Sequence, residues 1–240
     1  MKYKKRETLE WRKLDNSAKI FPISTGKKYS NVFRLSVVLK EKINPEILDK
    51  AVKIALEKYK SFKVRLKDGF FWNYLEYNPK KIIIEEEKEY PCKYIEPKEN
   101  NEYLFKVTYF DKKINIDIFH SLTDGNGGSM FFREIVYNYI ELVHKDEFDE
   151  ELRKKRKIEL SIEDSYIKNY NKLAKGNSSS KKAYKLAGKK IKLGAISAIH
   201  EIINLEELKQ EAKKSGATIT QYLTAVLIYS IYKANYVKNK

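Results

Sequence analysis

The sequence predicts an α+β fold, a sandwich of sheet and helices, and three observations carry the prediction. Two stretches alternate at the strand period: Phe33, Leu35, Val37 and Leu39 against Arg34, Ser36, Val38 and Lys40, and Ile114, Ile116 and Ile118 against Asn115, Asp117 and Phe119. Two others repeat at helical spacing: Ile47, Leu48, Ala51, Val52, Ala55, Leu56 and Tyr59, then Met130, Phe131, Ile135, Val136, Tyr139, Ile140 and Val143. The order is strand, helix, several strands, hairpin and helix, without the regular βαβ alternation of a parallel sheet.

Residues 14–22 combine turn formers with a short apolar stretch ending at Pro22, and read as a loop entering the fold. The strand over 33–40 follows. Asn44 before Pro45 is a helix start, a cap residue followed by proline at the first helical position. Residues 62–66, 70–76 and 82–84 are further strands, punctuated by Asp68-Gly69 and Pro79. A hairpin of 104–110 with 114–119, turning at Asp111-Lys112-Lys113, then delivers His120. His120 continues the parity of Ile114, Ile116 and Ile118, so its imidazole is expected on the apolar side of the strand. Asp124, Gly125, Asn126, Gly127 and Gly128 are turn formers, and Ser129 is available to cap the helix behind them.

Beyond this unit, residues 153–194 change texture. Apolar residues thin out, and Lys175-Gly176-Asn177-Ser178-Ser179-Ser180-Lys181-Lys182 has the composition of a linker or crossover. A strand is expected over 195–203 and a helix from Asn204, with Glu207 as its third-position partner. Thr218 with Gln221 forms a capping box for a helix over 219–236, whose stripe is Ile219, Leu223, Val226, Leu227, Ser230 and Ile231. The expected division is therefore 1–152, a crossover over 153–194, and 195–240.

The 240 residues are 42% hydrophobic, enough for a real core, and carry a formal charge of +16. Lysine scattered along the whole chain argues against a specific nucleic-acid site; the one cluster, Arg153-Lys154-Lys155-Arg156-Lys157, lies among Glu150, Glu151 and Glu159 and reads as a solvated face. Cys92 is the only cysteine, so no intrachain disulfide forms, and a reducing cytoplasm fits. Charged residues follow the N-terminal Met1-Lys2-Tyr3-Lys4-Lys5-Arg6 where a signal peptide needs an apolar core. No run reaches the length of a membrane span, although association with a membrane surface stays open.

Only one place sets a reactive side chain inside a local geometry that periodicity defines. His120 stands at a strand exit, where a neutral imidazole accepts a proton near neutral pH and a nearby carboxylate can fix its tautomer. Asp124 is four residues on, but the intervening turn decides whether its carboxylate reaches the ring. Competing chemistries fail on spacing. Gly125-x-Gly127 lacks the third glycine of a dinucleotide fingerprint, Met130 standing where it should be. His200-Glu201 meets Asn204 where a zinc helix needs its second histidine, so no metal is expected. Ser121 has no glycine elbow, nothing near Cys92 activates a thiolate, and His144 and His200 read as ordinary surface or strand residues.

His120-Ser121-Leu122-Thr123-Asp124-Gly125 resembles the His-x-x-x-Asp-Gly motif of the CoA-dependent acyltransferase superfamily, which includes chloramphenicol acetyltransferase, condensation domains, BAHD enzymes and alcohol acetyltransferases. Many members carry a histidine pair, and Phe119 replaces the first of the two. The resemblance implies a chloramphenicol acetyltransferase-like fold and transfer of an acyl group from acyl-CoA, or another pantetheine thioester, to a hydroxyl or amine acceptor. It assigns His120 as general base, Asp124 to shaping the turn through a partner such as an arginine, and Gly125 to close backbone approach. Acyl-CoA is then a co-substrate, and no cofactor is held tightly. Thr218-Ile219-Thr220-Gln221-Tyr222-Leu223 resembles the start of a second subdomain, whose Asp-Phe-Gly-Trp-Gly motif does not occur, so the chain is expected to be the N-terminal part of a long member and inactive alone. The alternative is a non-catalytic member that keeps the fold for binding or interaction.

Overall fold

The structure is a computed structural model, and it describes residues 11–147 and 201–235 together with isolated positions between them. The chain divides into two compact units, 1–174 and 175–240. In the first, the elements are β1 (Trp11–Lys13), α1 (Ile20–Ser24), β2 (Val32–Val38), α2 (Pro45–Lys58), β3 (Val64–Asp68), β4 (Asn73–Tyr77), β5 (Ile84–Glu86), β6 (Phe105–Phe110), β7 (Lys113–Phe119) and α3 (Gly125–Val143). The mixture of helices and sheets is the α+β class that the periodicities predict.

A four-stranded sheet in the order β2-β7-β6-β5 holds the middle of this unit, antiparallel except for the β5–β6 pair. The register explains its core. Leu35 opposes Ile116, Val37 opposes Ile114, Phe105 opposes Ile118 and Val107 opposes Ile116, so one face is apolar throughout. Helices α2 and α3 cover that face. Asn44 caps α2 as expected, its side chain accepting from Glu46 N and Ile47 N, and Leu48, Ala51, Val52 and Ala55 are fully buried. Phe131 of α3 stacks on Phe62 at 4.0 Å and meets Phe105 edge-on at 5.2 Å, which locks the helix to the sheet through directional ring contacts.

The other face of β7 departs from simple alternation. Asn115 and Asp117 were expected to face solvent, yet both are buried, at 0% and 5% exposure. A polar network explains this. Arg34 forks onto Asp117 (2.9 and 2.6 Å) and pairs with Glu87, which also holds Lys113 at 2.8 Å, while Ser36 donates to Asn115. Burial opposes ionisation of Glu87, but hydrogen bonds from Lys113 and Arg34 prevail and hold its carboxyl below the ordinary value.

Several boundaries move. Phe62 belongs to a 3-10 turn and its strand starts at Val64, while Phe70, Phe71 and Trp72 form the apex of the β3–β4 hairpin instead of entering a strand. The short β1, missed in the sequence, pairs with β4 to make a three-stranded sheet, β1-β4-β3. Residues 14–22 are not wholly loop. Leu14 and Ala18 are buried, and α1 accommodates Pro22 within its first turn, where a missing N–H costs nothing.

In the second unit α4 (Leu205–Lys214) and α5 (Ile219–Asn235) form as their caps predict. Asn204 accepts from Glu206 N and Glu207 N, and the Thr218–Gln221 capping box is reciprocal, with Thr218 N to Gln221 Oε1 at 2.8 Å and Gln221 N to Thr218 Oγ1 at 3.3 Å. Within α5, Leu223, Val226 and Leu227 are exposed instead of buried as a stripe. Residues 201–203 are not a strand as expected, and the rest of that predicted strand apart from 199, together with His200, the linker-like residues 175–181 and the cluster from Arg153 to Lys157, lies outside the described residues. Among the described residues no helix is long and apolar enough to cross a membrane.

Candidate active site

His120 leaves β7 on the side the parity predicts. Its backbone N–H donates to Asn31 O at 2.9 Å, and its ring lies against Phe21, stacked at 4.6 Å with planes 13° apart, and against the edge of Phe33 at 5.2 Å. Phe33 belongs to β2 and opposes Ile118, so the sheet supplies one side of the cradle and α1 the other. Asn31 secures α1. In the left-handed region at φ 49°, it sends its amide to Ser24 Oγ and Thr25 Oγ1, at 3.1 and 2.7 Å, while its carbonyl takes the His120 N–H. Ser121, buried beside it, donates to Ala18 O at 3.3 Å and so ties the preceding loop to the same corner.

The imidazole nitrogens have no hydrogen bond to another described residue, and the ring is partly exposed. Asp124 does not supply one. Its carboxylate caps α3, accepting from Gly127 N at 2.8 Å, and among the described residues it has no arginine partner. The cap expected at Ser129 is therefore Asp124; Ser129 lies inside the helix and donates to Gly125 O at 2.7 Å. The expected glycine turn is likewise the first turn of the helix, because Asp124 satisfies an amide that would otherwise be orphaned and so lets α3 start at Gly125.

Close approach does not require glycine at 125, where an added Cβ would meet nothing within 4 Å. It requires glycine at 128. A Cβ there would lie 2.9 Å from Ile118 Cδ1 and 3.0 Å from Phe33 Cζ, so Gly128 lets α3 descend onto the rings and strand that carry His120. Phe21, Asn31 and Gly128 are the site residues that sequence reasoning missed. The apolar Ile20-Phe21-Pro22 before a long strand was the available signal for the first.

A cavity of about 250 Å³ lies on the polar face of the sheet, lined by Arg34, Glu87, Asp117, Thr108 and Lys106, away from the face that bears His120. Cys92 borders this network, its N–H donating to Asp117 at 3.1 Å; burial first, and then the Asp117 charge, push its thiol up. It is not an activated nucleophile. Among the described residues no cluster of three His, Cys, Asp or Glu side chains is placed to hold a metal ion.

The geometry predicts different consequences for two changes at Asp124. Asp124→Ala is expected to cost about 1 kcal/mol of stability, whereas Asp124→Asn, which preserves a capping oxygen, is expected to be nearly neutral. Urea midpoints measure both. A loss with Asn as large as with Ala would show that the carboxylate's charge, and not its capping oxygen, matters.

No protein-family profile and no curated protein sequence matches the chain. Solved structures that it resembles include the starter condensation domain of rhizomide synthetase RzmA, at 11% identity over 54% of this chain and 35% of that one with a TM-score of 0.42. They also include polyketide synthase associated protein 5 from Mycobacterium tuberculosis, at 17% identity over 55% and 33% with a TM-score of 0.40. The tallysomycin biosynthesis protein TlmII matches at 10% identity over 54% and 37%, with a TM-score of 0.43. The chain covers about a third of the length of each of these proteins.

Proposed function

We propose that the protein is an acyltransferase that moves an acyl group from CoA or another pantetheine thioester to a hydroxyl or amine acceptor, with His120 as the general base. One observation carries the reading: a histidine ring clamped between two phenylalanines, its nitrogens without a hydrogen bond to another described residue, at the position that the His-x-x-x-Asp-Gly pattern marks. The neutral ring takes the proton of the acceptor as its oxygen or nitrogen attacks the thioester carbonyl. Collapse of the tetrahedral intermediate breaks the carbon–sulfur bond, and the imidazolium returns the proton to the departing thiolate. Asp124, occupied as a cap, stays out of the proton path. No step calls for a metal. The remaining wall of the site belongs, in this reading, to a second subdomain.

The test is release of free thiol from acyl-CoA donors in the presence of alcohols or amines, with a version that carries a complete second subdomain. Acceptor-dependent thiol release supports the reading. Tight acyl-CoA binding without turnover, unaltered by His120→Ala, would favour a non-catalytic binding protein.

The cradle itself can be tested without turnover. Phe21→Ala is expected to shift the His120 ring-proton resonances as the stacked ring current is lost, and to raise the rate of diethylpyrocarbonate modification up to about tenfold, the scale of one aromatic pair. Phe21→Trp should restore protection. Unchanged resonances in the alanine variant would mean that Phe21 does not hold the ring.

A further inference from the structure

At the apex of the β3–β4 hairpin, Phe70, Phe71 and Trp72 follow one another at 94%, 79% and 56% exposure. Single exposed apolar residues are ordinary, but three consecutive large aromatics on a projecting turn are not. They contact each other instead of the core, Phe70 to Phe71 at 4.6 Å and Phe71 to Trp72 at 6.0 Å. The turn beneath them is built tightly. Gly69 N–H donates to Trp72 O at 2.9 Å, a Cβ on Gly69 would lie 2.6 Å from that oxygen, and the Asp68 carboxylate accepts from Asn73 at 2.5 Å.

One rung behind the apex, strand register sets Lys13, Tyr74 and Lys67 side by side on one face of the three-stranded sheet. Two rungs further from the apex, Trp11, Glu76 and Arg65 occupy the same face, and Trp11 meets Tyr74 edge-on at 6.2 Å with 60% exposure. Cations dominate there. Glu102 is shared by Arg65, Lys67 and Lys80, at 3.0, 3.0 and 2.6 Å, and its carboxyl is held down at about 2 chiefly by hydrogen bonds from Lys80 and Lys67.

We propose that the Phe70-Phe71-Trp72 apex and the Trp11–Tyr74–lysine face behind it dock the protein on an anionic phospholipid bilayer. The residue types fit the depths they would occupy. Phenylalanines at the tip enter the acyl boundary, Trp and Tyr lie at headgroup level with apolar bodies and polar tips, and lysines behind them meet the lipid phosphates. A chain with a formal charge of +16 is drawn to such a surface as a whole. The convex shape of the apex and the cations directly behind it suit a deformable anionic layer better than an apolar groove on a protein partner.

The chain has two tryptophans, so Trp11→Phe leaves Trp72 as the only indole fluorophore. The probes are vesicles of phosphatidylcholine alone and of phosphatidylcholine with phosphatidylglycerol. Expected are a blue shift of Trp72 and quenching by acyl-chain-brominated lipid with the anionic vesicles, both weakening as salt rises. Phe70→Ser with Phe71→Ser should lower partitioning roughly tenfold or more while the circular dichroism spectrum is unchanged. Three results would overturn the proposal: no shift and no co-sedimentation with either vesicle, equal binding of the double-serine variant, or a Trp72 shift that follows protein concentration without lipid, which would make the apex a contact between copies of this chain.

Discussion

His120→Ala is expected, under the proposed mechanism, to lower turnover by roughly two to four orders of magnitude, the scale of general base catalysis. Binding of acyl-CoA should change little, because in the proposed mechanism the ring transfers a proton and does not hold the donor. The structure sharpens the control. His120 is a partly exposed residue in a turn, held by its backbone N–H and by ring contacts, so alanine leaves the Asn31 bond intact and the fold should survive. Turnover and thermal midpoint measured on the same sample separate the two effects. Activity within a few-fold of the parent would remove His120 from the proton path.

The second large effect lies on the opposite face of the sheet. Arg34→Ala is expected to cost about 3–5 kcal/mol, because it strands the buried Asp117 carboxylate, which then keeps, among the described residues, only the Cys92 N–H, while Glu87 retains Lys113. Arg34→Lys should recover little, since a single ammonium cannot reproduce the two-pronged contact with Asp117. Arg34→Met with Asp117→Leu should be less damaging than the single alanine change, because no charge is left unpaired. The pH dependence has a definite sign. The Glu87 carboxyl, held below its ordinary value in part by Arg34, stabilises above its unfolded pKa and loses that contribution as pH falls through the folded one, so the gap between parent and Arg34→Ala should narrow on acidification. Urea midpoints across the acid range measure it. A loss below about 1 kcal/mol at neutral pH would mean that the network is solvated.

Legibility in the sequence followed the range of the interaction. The Asn44 cap, the α2 stripe and the Thr218–Gln221 box were readable because each is settled within four residues, where spacing alone brings the partners together. The Ile114, Ile116 and Ile118 face was readable for the same reason. Its reverse was not, since Asn115 and Asp117 are polar by composition, and their partners, Ser36 for Asn115 and Arg34 for Asp117, arrive from β2, distant in sequence. At the candidate site, His120 was found through a motif, but its cradle was not, because Phe21 reaches it through the Asn31 corner and not through any sequence period. The glycine run was misread as a turn because glycine composition suits both a turn and a close helix approach. The positions of Ile118 and Phe33 show that the second demand governs at Gly128.

The pairing of β2 with β7 also sets an order of events during synthesis. Arg34 and Asp117 are 83 residues apart, and β2 is an edge strand whose partner within this sheet is β7. The β6–β7 hairpin and α3 are contiguous and can assemble from local contacts, but β2 and α2, which leave the ribosome first, must wait. At roughly 5–20 residues per second that wait lasts on the order of several seconds. Throughout it Leu48, Ala51, Val52 and Ala55 have no sheet to cover them. The nascent chain therefore carries the apolar stripe of α2 without that sheet until the segment bearing His120 emerges, and the same closure that completes the core brings Phe33 against the histidine.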